Sequence, residues 1–266
     1  MLANPTPAQR LRIETAAGVA EWRVLEWDTE QFGMAAARLE LLEASGPYAE
    51  ARSAKQKLLC LLMDRCREAG IRHLSARVDT GDLSTIHALE SVGFELVDGI
   101  LTFLLPMNGY QTAMPAGTRL FEPKDLPEVL EIGRTAFVFD RFHADPALSP
   151  SVADQVNAAW TRNCCLGIAA DAVVVAEEEE RVASYVTCRI DRPARRGIIV
   201  LVATAEWARG RGAARRASSA ALHWFTEQGM EFVEVGTQLR NIPAARLYES
   251  LGFRLFRTSL TFRKIL

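Results

Sequence analysis

The segment Arg209-Gly210-Arg211-Gly212-Ala213-Ala214 lies between an apolar run over residues 197–204 and a helix-like stretch over 213–228. Its two glycines let successive backbone N–H groups turn toward one point, and the following helix adds unpaired N-terminal donors and a positive dipole end. A pyrophosphate suits such a cradle; the bland reading is a solvated helix cap. A dinucleotide fingerprint needs a third glycine and a ribose-binding acid, and a P-loop needs Gly-Lys-Ser/Thr; neither is present here. Downstream, Phe232–Thr237 alternates as a strand, and Asn241-x-x-Ala244-x-x-x-Tyr248-x-x-x-Gly252-Phe253 follows as a helix ended by glycine. On these residues alone, Asn241 is an N-cap with Pro243 in the first turn, and Tyr248 is a core aromatic.

Arg209-x-x-Gly212-x-Ala214, followed at this distance by the Asn241/Tyr248 helix, resembles the GCN5-related N-acetyltransferases, the GNAT family. The resemblance implies acetyl-CoA, or another acyl-CoA, as cofactor. Backbone groups of Val202, Ala203 and Thr204 would pair with the pantetheine amides, and loop amides from Arg209 through Gly210, Arg211, Gly212, Ala213 and Ala214 to Arg215 would hold the pyrophosphate. Asn241 would bond the pantetheine arm, and Tyr248 would protonate the departing thiolate as the catalytic acid. The chain departs from the family in carrying Thr204-Ala205-Glu206 where Val-x-Pro is common. A carboxylate at Glu206 would repel an entering polyphosphate unless it faces the acceptor.

The likeness extends to Leu25-Glu26-Trp27-Asp28-x-x-x-Phe32-Gly33, Ser91-Val92-Gly93-Phe94-x-Leu96-Val97-Asp98, the Arg141-Phe142 loop and Thr237-Gln238-x-Arg240-Asn241-Ile242-Pro243-Ala244. Together these are similar to the dTDP-fucosamine acetyltransferase group, whose members acetylate a 4-amino-4,6-dideoxyhexose on a nucleotide. The implied partner is a small-molecule amine acceptor. Arg141, Phe142 and His143 are the candidate substrate-binding residues, in the loop that covers the acceptor site in the family, with Asp140 and Asp145 beside them. Histidine is a residue type suited to a general base near neutral pH, although a lone loop histidine such as His143 is also a common surface residue.

Two rival readings stand beside this one. An acyl carrier protein could deliver the acyl group to the arginine-rich stretch Arg189–Arg216, where eight arginines face two acids. A non-catalytic CoA-binding module is the other, and the presence of both Asn241 and Tyr248 argues against it. With 31 basic and 33 acidic residues the chain shows no global drive toward nucleic acid or membrane. Its five cysteines show no metal or disulfide spacing, so no metal is expected, and a cytoplasmic location follows from reduced thiols and the absence of a signal pattern. A monomer or homodimer fits.

The elements that must position these residues are of the α/β (α+β) class. The order helix, strand, helix, Gly-Phe, strand over residues 53–105 repeats over 213–264, and Ile86–Phe94 parallels Ala245–Phe253 through a shared Glu-Ser-x-Gly-Phe. Tandem GNAT folds are therefore expected: a degenerate N-terminal half over 1–110, which lacks the phosphate loop, and a complete C-terminal GNAT domain over 111–266, with a mixed central sheet flanked by helices. His87, set against Tyr248, reads as a surface or packing residue. Further expectations are a frayed arm over residues 1–10, strands at 22–27 and 34–42, a strand at 94–105 broken near Asp98-Gly99, a linker at 106–118, a hairpin at 172–190, and a doubly covered strand at 197–204.

Overall fold

The computed structural model describes residues 10–110 and 112–266. The expected arm, apart from Arg10, lies outside them. Two compact units are formed, one from the described residues of Met1–Gly99 with Ala144–Val152 and Thr258–Leu266, the other from Ile100–His143 and Ala153–Arg257. Set beside a cut at residue 110, the units exchange segments of chain.

In the first unit, β1 (Arg10–Thr15), β2 (Gly18–Val24) and β3 (Ala36–Ala44) run antiparallel in sequence. Next, β4 (His73–Asp79) pairs parallel to β3. The helix α1 (Glu26–Phe32) occupies part of what reads as a strand at 22–27. Strand β2 stops at Val24, and Gly33, left-handed at φ 65°, ends the helix. The apolar helix face of α2 (Tyr48–Glu68), carried by Leu58, Leu59, Leu62 and Cys66, packs with Leu74 of β4 and Leu89 of α3 (Leu83–Ser91). Strand β5 (Glu95–Pro106) runs unbroken, and the division between the units falls at Gly99, beside the expected break.

In the second unit, β6 (Thr118–Leu120) is followed by α4 (Leu126–Thr135), the one-turn α5 (Arg141–Ala144) and α6 (Pro150–Cys165). The hairpin β7 (Ala172–Glu178) and β8 (Arg181–Asp191) turns at Glu179 and Glu180, both at positive φ. Then come β9 (Arg196–Thr204), α7 (Ala213–Glu227), β10 (Phe232–Gln238), α8 (Ile242–Ser250) and β11 (Arg254–Ile265). Its strands follow the order β5-β10-β9-β8-β7-β6, parallel only between β10 and β9. Residues 259–265 of β11 pair instead with β4 of the first unit. Two apolar clusters cover the second sheet, one built with α7 and α8 and the other with α4 and α6. Ala217, Ala220 and Ala221 keep α7 close to the strands, and Gly197 is required beneath it because an added Cβ would lie 2.5 Å from the Phe225 ring. Among the described residues no helix is long and apolar enough to cross a membrane.

The repeat is clear at the level of backbone irregularities. Strands β3 and β4 keep parallel register only from Ala36↔His73 to Leu39↔Ala76, as β9 and β10 do only from Arg196↔Phe232 to Ile199↔Val235. Each time the first strand carries an extra residue just beyond, Glu40 opposite β2 and Val200 opposite β8. Counted from the helix caps, Asp82 stands in the place of Asn241, so Leu89, and not His87, is the counterpart of Tyr248. His87 bonds the Tyr48 hydroxyl at 2.6 Å.

Candidate functional site

After β9 the chain makes one 3-10 turn, Glu206–Ala208, with Glu206 exposed. It then passes Gly210 and Gly212, both left-handed at φ 77° and 83°. These glycines are needed for their backbone conformation and not for crowding, because an added Cβ at either would meet nothing within 4 Å. The space over the loop is open. Gly212 is the N-cap of α7 and offers no side chain to the first turn, and the Arg216 N–H bonds the Gly212 carbonyl. The N–H groups of Ala213, Ala214 and Arg215 precede that first helical bond and have no intrahelical acceptor. Arg209 and Arg211 are exposed at the rim.

The second component is an opening in the sheet. Beyond Ile199↔Val235 the register of β9 with β10 ends, while β9 continues to pair with β8 through Val202↔Val186, Ala203↔Tyr185 and Thr204↔Ser184. The bulge at Val200 is the cause: an extra residue bends its strand and reverses which residues face which side. Ile199 accordingly packs with the α7 cluster, whereas Leu201 and Ala203 pack with the α4 cluster. Strand β9 is thus covered on both faces, as its composition implies, with residues that alternate between buried and half-buried. The Leu201 N–H is satisfied by Thr187 Oγ1 at 2.9 Å. On the side once facing β10, Val202, Ala203 and Thr204 have an edge outside the β9–β10 register. Neither the bulge nor Thr187 is signalled in the sequence beyond a threonine inside an apolar strand.

The third component is α8. Asn241 caps it, its side-chain oxygen accepting from the Ala244 N–H at 3.3 Å, and this leaves the carboxamide NH2 as a donor. Tyr248 is 4% exposed, its ring 5.9 Å from those of Phe103 and Phe253. Burial pushes its phenol pKa up, so the hydroxyl keeps its proton across the neutral range. The capping and packing roles are thus both occupied, and both leave a polar function spare.

The Arg141–His143 turn is built differently from a free loop. Asp140 Oδ1 accepts from the N–H groups of Phe142 and His143, and Phe142 is buried at 3% exposure. Arg141 stacks its guanidinium 4.4 Å from the Phe142 ring centroid. His143 Nδ1 lies 2.6 Å from Asp140 and Nε2 lies 3.1 Å from Asp154, while Asn157 donates to Asp140 at 3.1 Å. A neutral imidazole has one N–H and can satisfy only one of these two carboxylates. Asp154 and Asn157, on α6, are partners the sequence reading does not name. Asp145 is not with this group: it belongs to the first unit, accepting from His73 and Arg263 at 2.9 Å each.

Residues 136–253 match the acetyltransferase (GNAT) family. The chain is 26% identical over 187 residues to a dTDP-fucosamine acetyltransferase of Escherichia coli O6:H1, covering 70% of this chain and 79% of that protein. It is 29% identical over 185 residues to the spore coat polysaccharide biosynthesis protein SpsD of Bacillus subtilis, covering 66% of this chain and 61% of SpsD, less than two thirds of its length. Among solved structures, a tandem GNAT protein from the clavulanic acid biosynthesis pathway matches 95% of this chain and 81% of its own with a TM-score of 0.61 at 15% identity, a likeness of fold. Together these matches support a GNAT-type N-acetyltransferase: the family match falls on residues 136–253, the fold is that of a tandem GNAT protein, and the sequence is similar to sugar acetyltransferases.

Proposed function

We propose that the second unit binds acetyl-CoA and acetylates the amine of a nucleotide-linked 4-amino-dideoxy sugar. The observation that carries this reading is the opening between β9 and β10 next to a glycine-bearing helix N-terminus. It presents a strand edge at Val202–Thr204 and the free N–H groups of Ala213, Ala214 and Arg215. The open space above Gly210 and Gly212 fits a pyrophosphate there, with Arg209 and Arg211 at its edge. When bound, acetyl-CoA supplies the thioester carbonyl that the amine attacks. The β9 edge would hold the pantetheine amides, the Asn241 NH2 would donate to the arm, and the Tyr248 hydroxyl would be the proton source for the departing thiolate. Arg141 is the cation for the acceptor diphosphate, and His143, held between Asp140 and Asp154, is its neighbour in the acceptor-binding turn.

The catalytic half is 111–266, and the half at 1–110 is proposed to hold no acyl-CoA. Positions 159 residues apart correspond in its helices, so Lys55 stands where the second unit has Ala214, and Asp82 where it has Asn241. Lys55, 5% exposed, donates to both Asp82 oxygens at 3.1 Å, to Ser84 at 2.8 Å and to Thr85 at 2.7 Å. An ion pair thereby fills the position of the cradle. The neighbouring cavity of about 450 Å³ is lined by Glu14, Glu43 and Asp82 against the single cation Lys55, an excess of carboxylates that disfavours phosphate.

The test is a panel of dTDP-4-amino-4,6-dideoxyhexoses, simple amines, polyamines and peptides, each with acetyl-CoA. Activity confined to amines without a nucleotide would refute the acceptor assignment. Turnover only with an acyl carrier protein as donor would favour the second reading, which rests on the exposed Arg209 and Arg211.

A further inference from the structure

We propose that the side chain of Arg215 is a positioning residue that holds α8, and with it Asn241 and Tyr248, against the first turn of α7. This rests on the acyl-CoA reading of the second unit, in which the Arg215 backbone N–H belongs to the cradle. Arg215 Nη1 donates to Ser250 Oγ at 2.7 Å and to the Ser250 carbonyl at 3.3 Å. Ser250 Oγ in turn donates to the Leu247 carbonyl at 2.7 Å, so the guanidinium grips the last turn of α8 two residues beyond the phenol. A phosphate-seeking arginine would point its charge over the loop; this one is bonded to the C-terminal end of the other helix.

The first unit repeats the contact without the charge. Gln56, 159 residues before Arg215, donates through Nε2 to Ser91 Oγ, 159 residues before Ser250. Ser91 Oγ donates to the Ala88 carbonyl at 2.7 Å, the same bond as Ser250 makes. The two units differ in the cradle and in the residue opposing the reaction, Leu89 against Tyr248, yet both tie these two helices by one long polar side chain and one serine. A link retained where the phosphate loop is absent serves helix placement, and glutamine is already a working substitute for it in this chain.

The consequence for the reaction is geometric. Tyr248 lies in the last turn of a nine-residue helix whose N-cap is Asn241, so loosening that turn displaces the acid relative to the loop that fixes the cofactor. The discriminating variants are Arg215→Gln, Arg215→Leu and Ser250→Ala. Arg215→Leu should lower kcat by about 3- to 10-fold, the range for one exposed polar link, with the acetyl-CoA KM within about twofold, since its backbone N–H is retained. Arg215→Gln should recover most of that kcat. Ser250→Ala, which keeps the 3.3 Å carbonyl bond, should fall between. Equal loss in the Gln and Leu variants, expressed as a raised acetyl-CoA Kd, would show the charge at work on phosphate and overturn the proposal. Wild-type kinetics in all three would also overturn it. If the wild-type protein binds no acetyl-CoA by calorimetry, the cofactor reading fails, and hydrogen exchange of the α8 amides in the ligand-free protein decides positioning. Faster exchange in the Leu variant but not the Gln variant supports it; equal exchange refutes it.

Discussion

Replacing Tyr248 by Phe removes one oxygen from a ring that is otherwise held entirely by packing. The contacts to Phe103 and Phe253 involve the ring and survive the change, whereas Ala would empty the site. The Phe variant should therefore lose no more than about 1 kcal/mol of stability, against about 3–5 kcal/mol for Ala. Loss of a positioned acid costs about 10² to 10⁴ in rate, or about 2.7–5.4 kcal/mol in the barrier, so the two effects separate cleanly. The assay is thiol release from acetyl-CoA, with cofactor affinity measured by calorimetry: kcat should fall while Kd stays within a few-fold. The pH profile adds a second check. Burial raises the phenol pKa, so the acid form persists as pH rises, and kcat should show no descending limb assigned to this group below about pH 10. Wild-type turnover by the Phe variant, or a limb near pH 8 that disappears with the hydroxyl, would refute the assignment of Tyr248 as the acid.

Titration with acetyl-CoA should give one site per chain; two sites would contradict the account of Lys55 and Asp82. Gly212→Ala should weaken binding by less than about tenfold, because its Cβ meets no atom and the cost is about 1–2 kcal/mol of left-handed backbone strain, while Gly212→Glu should abolish binding by calorimetry through its added charge. Asp82→Ala removes a helix cap and the partner of a buried ammonium; thermal unfolding should show a loss of about 2–4 kcal/mol with acetyl-CoA affinity unchanged. Bonds from the Thr85 hydroxyl and amide, Ser84 and Lys55 outweigh burial and hold the Asp82 pKa at about 2. Its stabilisation is thus present above about pH 4 and lost as pH falls toward 2, so the pH dependence of unfolding over that window should shrink in the variant. Arg141→Ala and His143→Ala should raise the acceptor KM without changing acetyl-CoA affinity, and a change confined to the acetyl-CoA KM would remove the turn from the acceptor site.

The order of the main elements after residue 48, the helix at Asn241–Tyr248 and the Gly210/Gly212 turn were legible in the sequence because each is set by local chemistry: a glycine at positive φ, a capping side chain, a periodic apolar face. The duplication was legible too, since Glu-Ser-x-Gly-Phe occurs in both halves. Local signals misled where the competing force was not local. Trp22–Trp27 alternates like a strand, but the chain leaves β2 at Val24 and coils into α1, whose Phe32 packs inward and whose end Gly33 closes. Tertiary structure alone decided where β9 leaves β10, because a bulge depends on the register of two strands and on Thr187 satisfying a displaced N–H across them. It alone paired Arg215 with Ser250 and Lys55 with Asp82, residues distant in sequence and joined only when the helices pack. It also separated Asp140 from Asp145, five residues apart, sending one to His143 and the other to His73 and Arg263, since chain proximity does not determine which core a side chain enters.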